Sequence, residues 1–158
     1  MSTLAIILSH ALSLSIPATD GARGGRLLYE QRLEHHLAVG AGLELRESAA
    51  GDYTGLRTGA SGTLRWFWRR ATITGWYLGA SVHVDGDFTH DDVDHRWLGS
   101  ALEIGAGGEI GYRWQPWREL IVTPAAGFEV HRDIDLSGRL PGWFRPGFVA
   151  GLEVGWLF

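Results

Sequence analysis

Residues 83–95 read HVDGDFTHDDVDH, placing three histidines and five aspartates in thirteen positions. Imidazole mixed with carboxylate is the donor set of zinc and other transition metals, whereas carboxylates alone suit calcium. Asp85, Asp87, His90, Asp91, Asp92, Asp94 and His95, with His83 beside them, are therefore the candidate metal ligands. The stretch lacks the ligand pattern of an EF-hand loop. Its plainer reading is a solvated acidic connection between two strands, and the sequence implies no cofactor.

A second set of charges is dispersed along the chain. Glu30, Arg32, Glu44, Arg57, Arg65, Glu103, Glu109, Arg113, Glu129, Arg145 and Glu153, six glutamates and five arginines, fall mostly among glycine, alanine and other small residues in segments that alternate with large apolar ones. Gathered inside one narrow space, such charges must pair, because an unpaired buried charge is costly. A salt-bridged plug is one outcome. A gated pore in which the pairs rearrange is the other.

The alternation that carries these charges is the period of a β-strand rather than of a helix. It predicts strands over residues 3–16, 25–33, 37–46, 53–68, 72–84, 97–114, 119–132 and 143–158. In the last of these, Phe148, Ala150, Leu152, Val154, Trp156 and Phe158 share one face, while Val149, Gly151, Glu153, Gly155 and Leu157 share the other. Residues 3–16 have a competing reading as a secretory signal, but they lack a basic leading segment and carry His10 in the middle. The connections EHH, RRA and QPWRE are short, and those containing PATDGARGG, ESAAGD, DGDFTHDDVDH and DIDLSGRLPG are longer and more polar. With eight strands, the short turns and both termini lie at one end.

Composition narrows the class. The 158 residues have a formal net charge of -4, which argues against a nucleic-acid partner, and contain no cysteine for disulfides or thiolate metal sites. Twenty-three glycines and eight tryptophans point to an all-β protein with crowded interior positions. No stretch approaches the ~20 consecutive apolar residues of a membrane-spanning helix.

Volume decides which face turns inward. An eight-stranded barrel has an interior just wide enough to be filled by side chains. Trp66, Trp76, Phe128, Phe148 and Trp156 together with the aliphatic set would overfill it. The small, charge-bearing face fits, which places the large apolar face in lipid, where arginine at the midplane costs ~2–4 kcal/mol; the alternative is a soluble barrel with the large face turned inward around a ligand. Trp66, Trp68, Trp76, Trp114, Trp117, Trp156 and Phe158 would form a belt at the short-turn end, with Tyr53, Trp97, Trp143 and Phe144 at the other. The expected fold is all-β: one domain over residues 1–158, an eight-stranded antiparallel up-and-down transmembrane β-barrel.

With that strand number, connection asymmetry, aromatic belts and the ending VGWLF, the chain resembles the small eight-stranded bacterial outer-membrane proteins, the OmpA-like and OmpW-like barrels. The resemblance implies an outer-membrane location, with membrane lipid and the barrel-assembly machinery as partners. It implies that Trp156 and Phe158 belong to the C-terminal signal read during insertion, although Glu153 stands where that signal usually has glycine. It further implies a structural or adhesive role, or docking to another envelope protein, with a narrow pore as the alternative. Some such barrels modify lipid A, which needs a nucleophile–base pair. His10 is on the apolar face without a serine at local spacing, His131 precedes Arg132 and Asp133, and His35–His36 reads as a turn. The expectation is accordingly a non-enzymatic protein with no catalytic residues.

Overall fold

The computed structural model describes residues 10–17, 23–33, 36–50, 53–68, 73–91, 96–135 and 144–158. They form β1 (His10–Pro17), β2 (Arg23–Arg32), β3 (Leu37–Ala50), β4 (Tyr53–Phe67), β5 (Gly75–Asp91), β6 (Arg96–Arg113), β7 (Leu120–Asp135) and β8 (Phe144–Leu157). Each strand pairs antiparallel with its neighbours in sequence, and β1 also pairs with β8, so the sheet closes into a barrel. At the seam Leu12 is opposite Trp156 and Ser15 is opposite Glu153. Just past it, the main chains of His10 and Phe158 exchange two hydrogen bonds of 2.9 Å.

Register keeps the two faces in phase around the wall. Tyr29, Ala41, Gly62, Val82, Ala106, Val130 and Pro146 form one outward row, each opposite the next. Glu30, Gly40, Thr63, Ser81, Gly107, Glu129 and Gly147 form the inward row beside it. A slip of one residue in any strand would send its charges outward and its leucines inward.

The result is a protein turned inside out. Leu43 is 67% exposed, Val82 60% and Phe128 70%, whereas Glu30, Arg65 and Arg113 are fully buried. An apolar exterior that continuous belongs in hydrocarbon, and a closed barrel is the sheet form that leaves no unpaired edge there. Strands β2 to β8 each have at least the roughly 9–11 residues needed to cross at a tilt. At the turn end Trp66, Trp68, Trp76, Trp114, Trp117, Trp156 and Phe158 are all exposed, with Trp66 and Trp68 edge to face at 5.1 Å. At the opposite end Phe144 is exposed, and the side chains of Tyr53, Trp97 and Trp143 lie outside the described set.

One expectation holds and two change. Residues 10–17 form a strand hydrogen-bonded on both sides, which removes the signal-peptide reading for them, while residues 3–9 of the expected strand lie outside the described residues. The polar segments are not loops of matching length. β3 runs to Ala50, leaving two residues before β4, and β5 runs to Asp91 and β7 to Asp135. At the other end, the connections 68–74 and 114–119 are longer than those at 51–52 and 92–95, so the expected asymmetry does not hold for them. The reason is that a polar hairpin can keep its backbone ladder after the outward residues cease to be apolar. Accordingly Asp85, Asp87, His90 and Asp91 belong to β5 rather than to a loop, whereas Asp92, Asp94 and His95 lie outside the described residues.

Candidate functional site: the charged lumen

The inward positions at the turn end are mostly apolar, with Arg32 opposite Ala38 among them. Ala11, Ala38, Phe67, Ile73, Tyr77 and Ile121 form a buried cluster there. Gly75, which starts β5 with φ of 95°, takes the left-handed region that glycine tolerates and brings the chain back into the wall beside this cluster.

An ion-paired layer rests on it. Arg65 of β4 reaches across the lumen to Glu153 of β8 through Nη1 at 2.9 Å and Nη2 at 2.5 Å, one bond to each carboxylate oxygen. The same guanidinium donates to Glu30 at 3.0 Å and to Glu109 at 2.9 Å. Arg113 of β6 donates to Glu30 through Nη2 and to the Thr123 hydroxyl through Nε at 3.2 Å. The guanidinium of Arg65 lies 4.8 Å from the centre of the Tyr77 ring, and that of Arg113 lies 5.3 Å from Phe67, joining the charged layer to the apolar one. Arg26 closes the set on Glu153 at 3.4 Å. Three arginines thus face three glutamates, and fork-shaped guanidinium groups satisfy several carboxylates at once.

Glycine makes this packing possible. Gly111 is opposite Tyr77, Gly79 opposite Glu109, Gly105 opposite His83 and Gly59 opposite Asp85. In each pair the larger side chain lies over the glycine, where a Cβ would collide with it. The small residues of the inner face are the floor on which the neighbouring strand's large side chains rest.

Beyond the ion-paired layer is a cavity of about 100 Å³. Arg57 donates to Glu103 at 2.9 Å and to Asp87 at 3.3 Å, and Glu44 pairs with Arg46. His83 Nε2 stands 3.7 Å from Glu103 and 3.9 Å from Asp85. Glu129 lies 3.9 Å from His131.

The expected lumen charges therefore occupy three levels. Glu30, Arg65, Glu109, Arg113 and Glu153 converge in one network, and Arg32 is buried on the same inward row of β2. Glu44, Arg57, Glu103 and Glu129 line the cavity. Arg145 stands apart, more than half exposed and paired with Asp133. Of the expected metal ligands, Asp85 and Asp87 point inward from β5, and the side chains of His90 and Asp91 lie outside the described set. Trp156 and Phe158 face outward, the latter stacked on His10 at 5.8 Å. His10 in turn hydrogen-bonds the Tyr29 hydroxyl through Nδ1 at 2.6 Å.

Sequence reasoning passed over Arg26, Arg46, Phe67 and Tyr77. Parity was the available signal: Arg26 shares its face with Leu28 and Glu30, and Tyr77 with Gly79 and His83.

Among solved structures, the chain is similar to the N-terminal β-barrel domain of Pseudomonas aeruginosa OprF, with a TM-score of 0.51, 15% identity and 96% of each chain covered. It is also similar to a major outer membrane protein from Thermus thermophilus, with a TM-score of 0.52, 13% identity, and 96% of this chain and 99% of that one covered. No protein-family model and no curated protein matches the sequence. At these identities the likeness is one of architecture: the chain has the fold of the small bacterial outer-membrane β-barrels.

Proposed function

We propose that the chain is a bacterial outer-membrane protein whose barrel is shut by its own ion pairs, and that it works as a structural, adhesive or envelope-docking element. The observation that supports this reading is the fully buried pair Arg65 and Arg113, held by glutamates from β2, β6 and β8 above a buried apolar cluster. Ions crossing the lumen would have to break several charge-assisted bonds at once. Membrane lipid is the partner for the outer wall, the barrel-assembly machinery the partner for the strand ending in Trp156 and Phe158, and another envelope protein a partner for docking. The reading is non-enzymatic; among the described residues His10 is engaged by Tyr29 and Phe158.

The cavity beside the ion pairs favours a second reading, a narrow pore for ions or small solutes whose plug moves aside. Planar-bilayer recording of the refolded full chain separates the two. The closed-barrel reading expects a flat current with wild type. Discrete conductance steps would transfer the function to the pore.

A further inference from the structure

We propose that His83, Asp85 and Glu103 form a binding site for a divalent transition metal of the zinc type inside the lumen. Each offers one donor atom, and the three atoms lie within 4.8 Å of one another. The distances from His83 Nε2, 3.7 and 3.9 Å, are near the ~3.4 Å between neighbouring ligands around a tetrahedral zinc with bonds of about 2.1 Å. Small side-chain rotations close the difference.

Three further observations point to a cation at this position. Asp85 is 4% exposed, yet its Oδ1 has no hydrogen-bond partner among the described residues, which is a costly arrangement for a buried carboxylate. Asp85 and Glu103 are directly opposite each other on β5 and β6, and like charges in that relation repel. A metal between them removes the repulsion and, on rotation of the Asp85 carboxylate away from Gly59, gives Oδ1 the partner it lacks. Finally, with Glu109 and Glu153 held by Arg65 and Arg26, and Glu44 by Arg46, the cavity lining still sets Asp85, Glu103 and Glu129 against Arg57, so its charge favours a cation.

The surroundings are those of a built site. Gly59 and Gly105 leave the space into which Asp85 and His83 fold, and a Cβ at either would collide with the ligand side chain. Arg57 donates to Glu103 at 2.9 Å, the kind of outer hydrogen bond that orients a ligating carboxylate. One imidazole and two carboxylates are a borderline donor set that suits zinc, cobalt or nickel better than calcium. The cavity side of the cluster leaves room for a water or a small anion as a fourth ligand. The proposal does not depend on whether the lumen conducts.

The test is a titration of the refolded full chain in detergent micelles with cobalt(II), followed by its visible absorption, and then displacement by zinc. One equivalent should develop a tetrahedral-type spectrum that one equivalent of zinc abolishes. His83→Gln and Asp85→Asn should each weaken cobalt binding at least about tenfold, while His36→Gln leaves it unchanged and all keep the heat-modifiable gel mobility of wild type. Should those variants not fold, wild type still reports: zinc should shift the ring nitrogen resonances of one of the seven histidines. No cobalt spectrum from folded protein, unchanged affinity in His83→Gln, or several histidines shifting together would overturn the assignment. Calcium binding that needs the carboxylates but not His83 would also overturn it.

Discussion

Arg65 on β4 and Glu153 on β8 meet from opposite sides of the barrel, with two hydrogen bonds joining one guanidinium to both oxygens of one carboxylate. In a cylinder of eight strands these two are as far apart around the wall as strands can be. Their bond is therefore a strut across the tube and not a clasp between neighbours. Both residues are withdrawn from water, so each depends on the other for its solvation.

Removing one end of that strut should be severe. Arg65→Ala leaves Glu30, Glu109 and Glu153 without their shared cation, and breaking a buried pair in this way costs about 3–5 kcal/mol. Urea unfolding of the protein in lipid vesicles measures it. Arg65→Met with Glu153→Leu should recover part of the loss, because a matched apolar pair leaves fewer stranded charges.

The glycine floor should be intolerant of added carbon. A Cβ at Gly111 meets the Tyr77 ring, so Gly111→Ala is expected to lose about 1–3 kcal/mol. Gly62 faces outward, and a Cβ there would come no closer than 3.5 Å to Val82, so Gly62→Ala should be near neutral. Equal losses at both sites would refute the assignment of inner and outer faces.

The outer wall makes the complementary prediction. Val82 is 60% exposed in the middle of β5, so Val82→Arg should destabilise the protein in bilayers by about 2–4 kcal/mol. Val82→Leu should leave the unfolding midpoint close to wild type. A neutral Val82→Arg would mean that this face does not meet hydrocarbon.

At the C-terminus, Phe158→Ala removes a ring stacked on His10 but leaves both main-chain bonds between those residues available. Refolding into micelles should proceed nearly as in wild type, whereas the folded amount recovered from bacterial membranes should fall. If both decline in parallel, the residue serves the barrel's own stability rather than its delivery.

The wall was legible in the sequence because its period is two and one face is large throughout. Strand number and the inward parity of Glu30, Arg65 and Glu153 follow from that pattern alone. What parity does not carry is distance around the circumference, so the meeting of β4 with β8 had no local sign. Strand ends were also hidden. Asp85 and Asp87 look like loop residues by composition, yet they continue the inward set begun by Tyr77, Gly79, Ser81 and His83. Composition reports where the apolar exterior stops, and backbone pairing goes on past that point. In the segment rich in histidine and aspartate, His83 falls within the expected strand, while Asp85 and Asp87 lie beyond its expected end and still point into the lumen.

The β1–β8 seam also constrains the order of events in folding. Seven of the eight strand pairings join neighbours in sequence and can form as local hairpins. The eighth joins Ala11 to Leu157 and closes nearly the whole chain into a ring. Until it forms, the sheet has two raw margins, each with unpaired amide and carbonyl groups that hydrocarbon cannot solvate. An intermediate with six or seven strands inserted would therefore be worse off than either end state. Insertion and ring closure must be concerted, with the first and last strands arriving together.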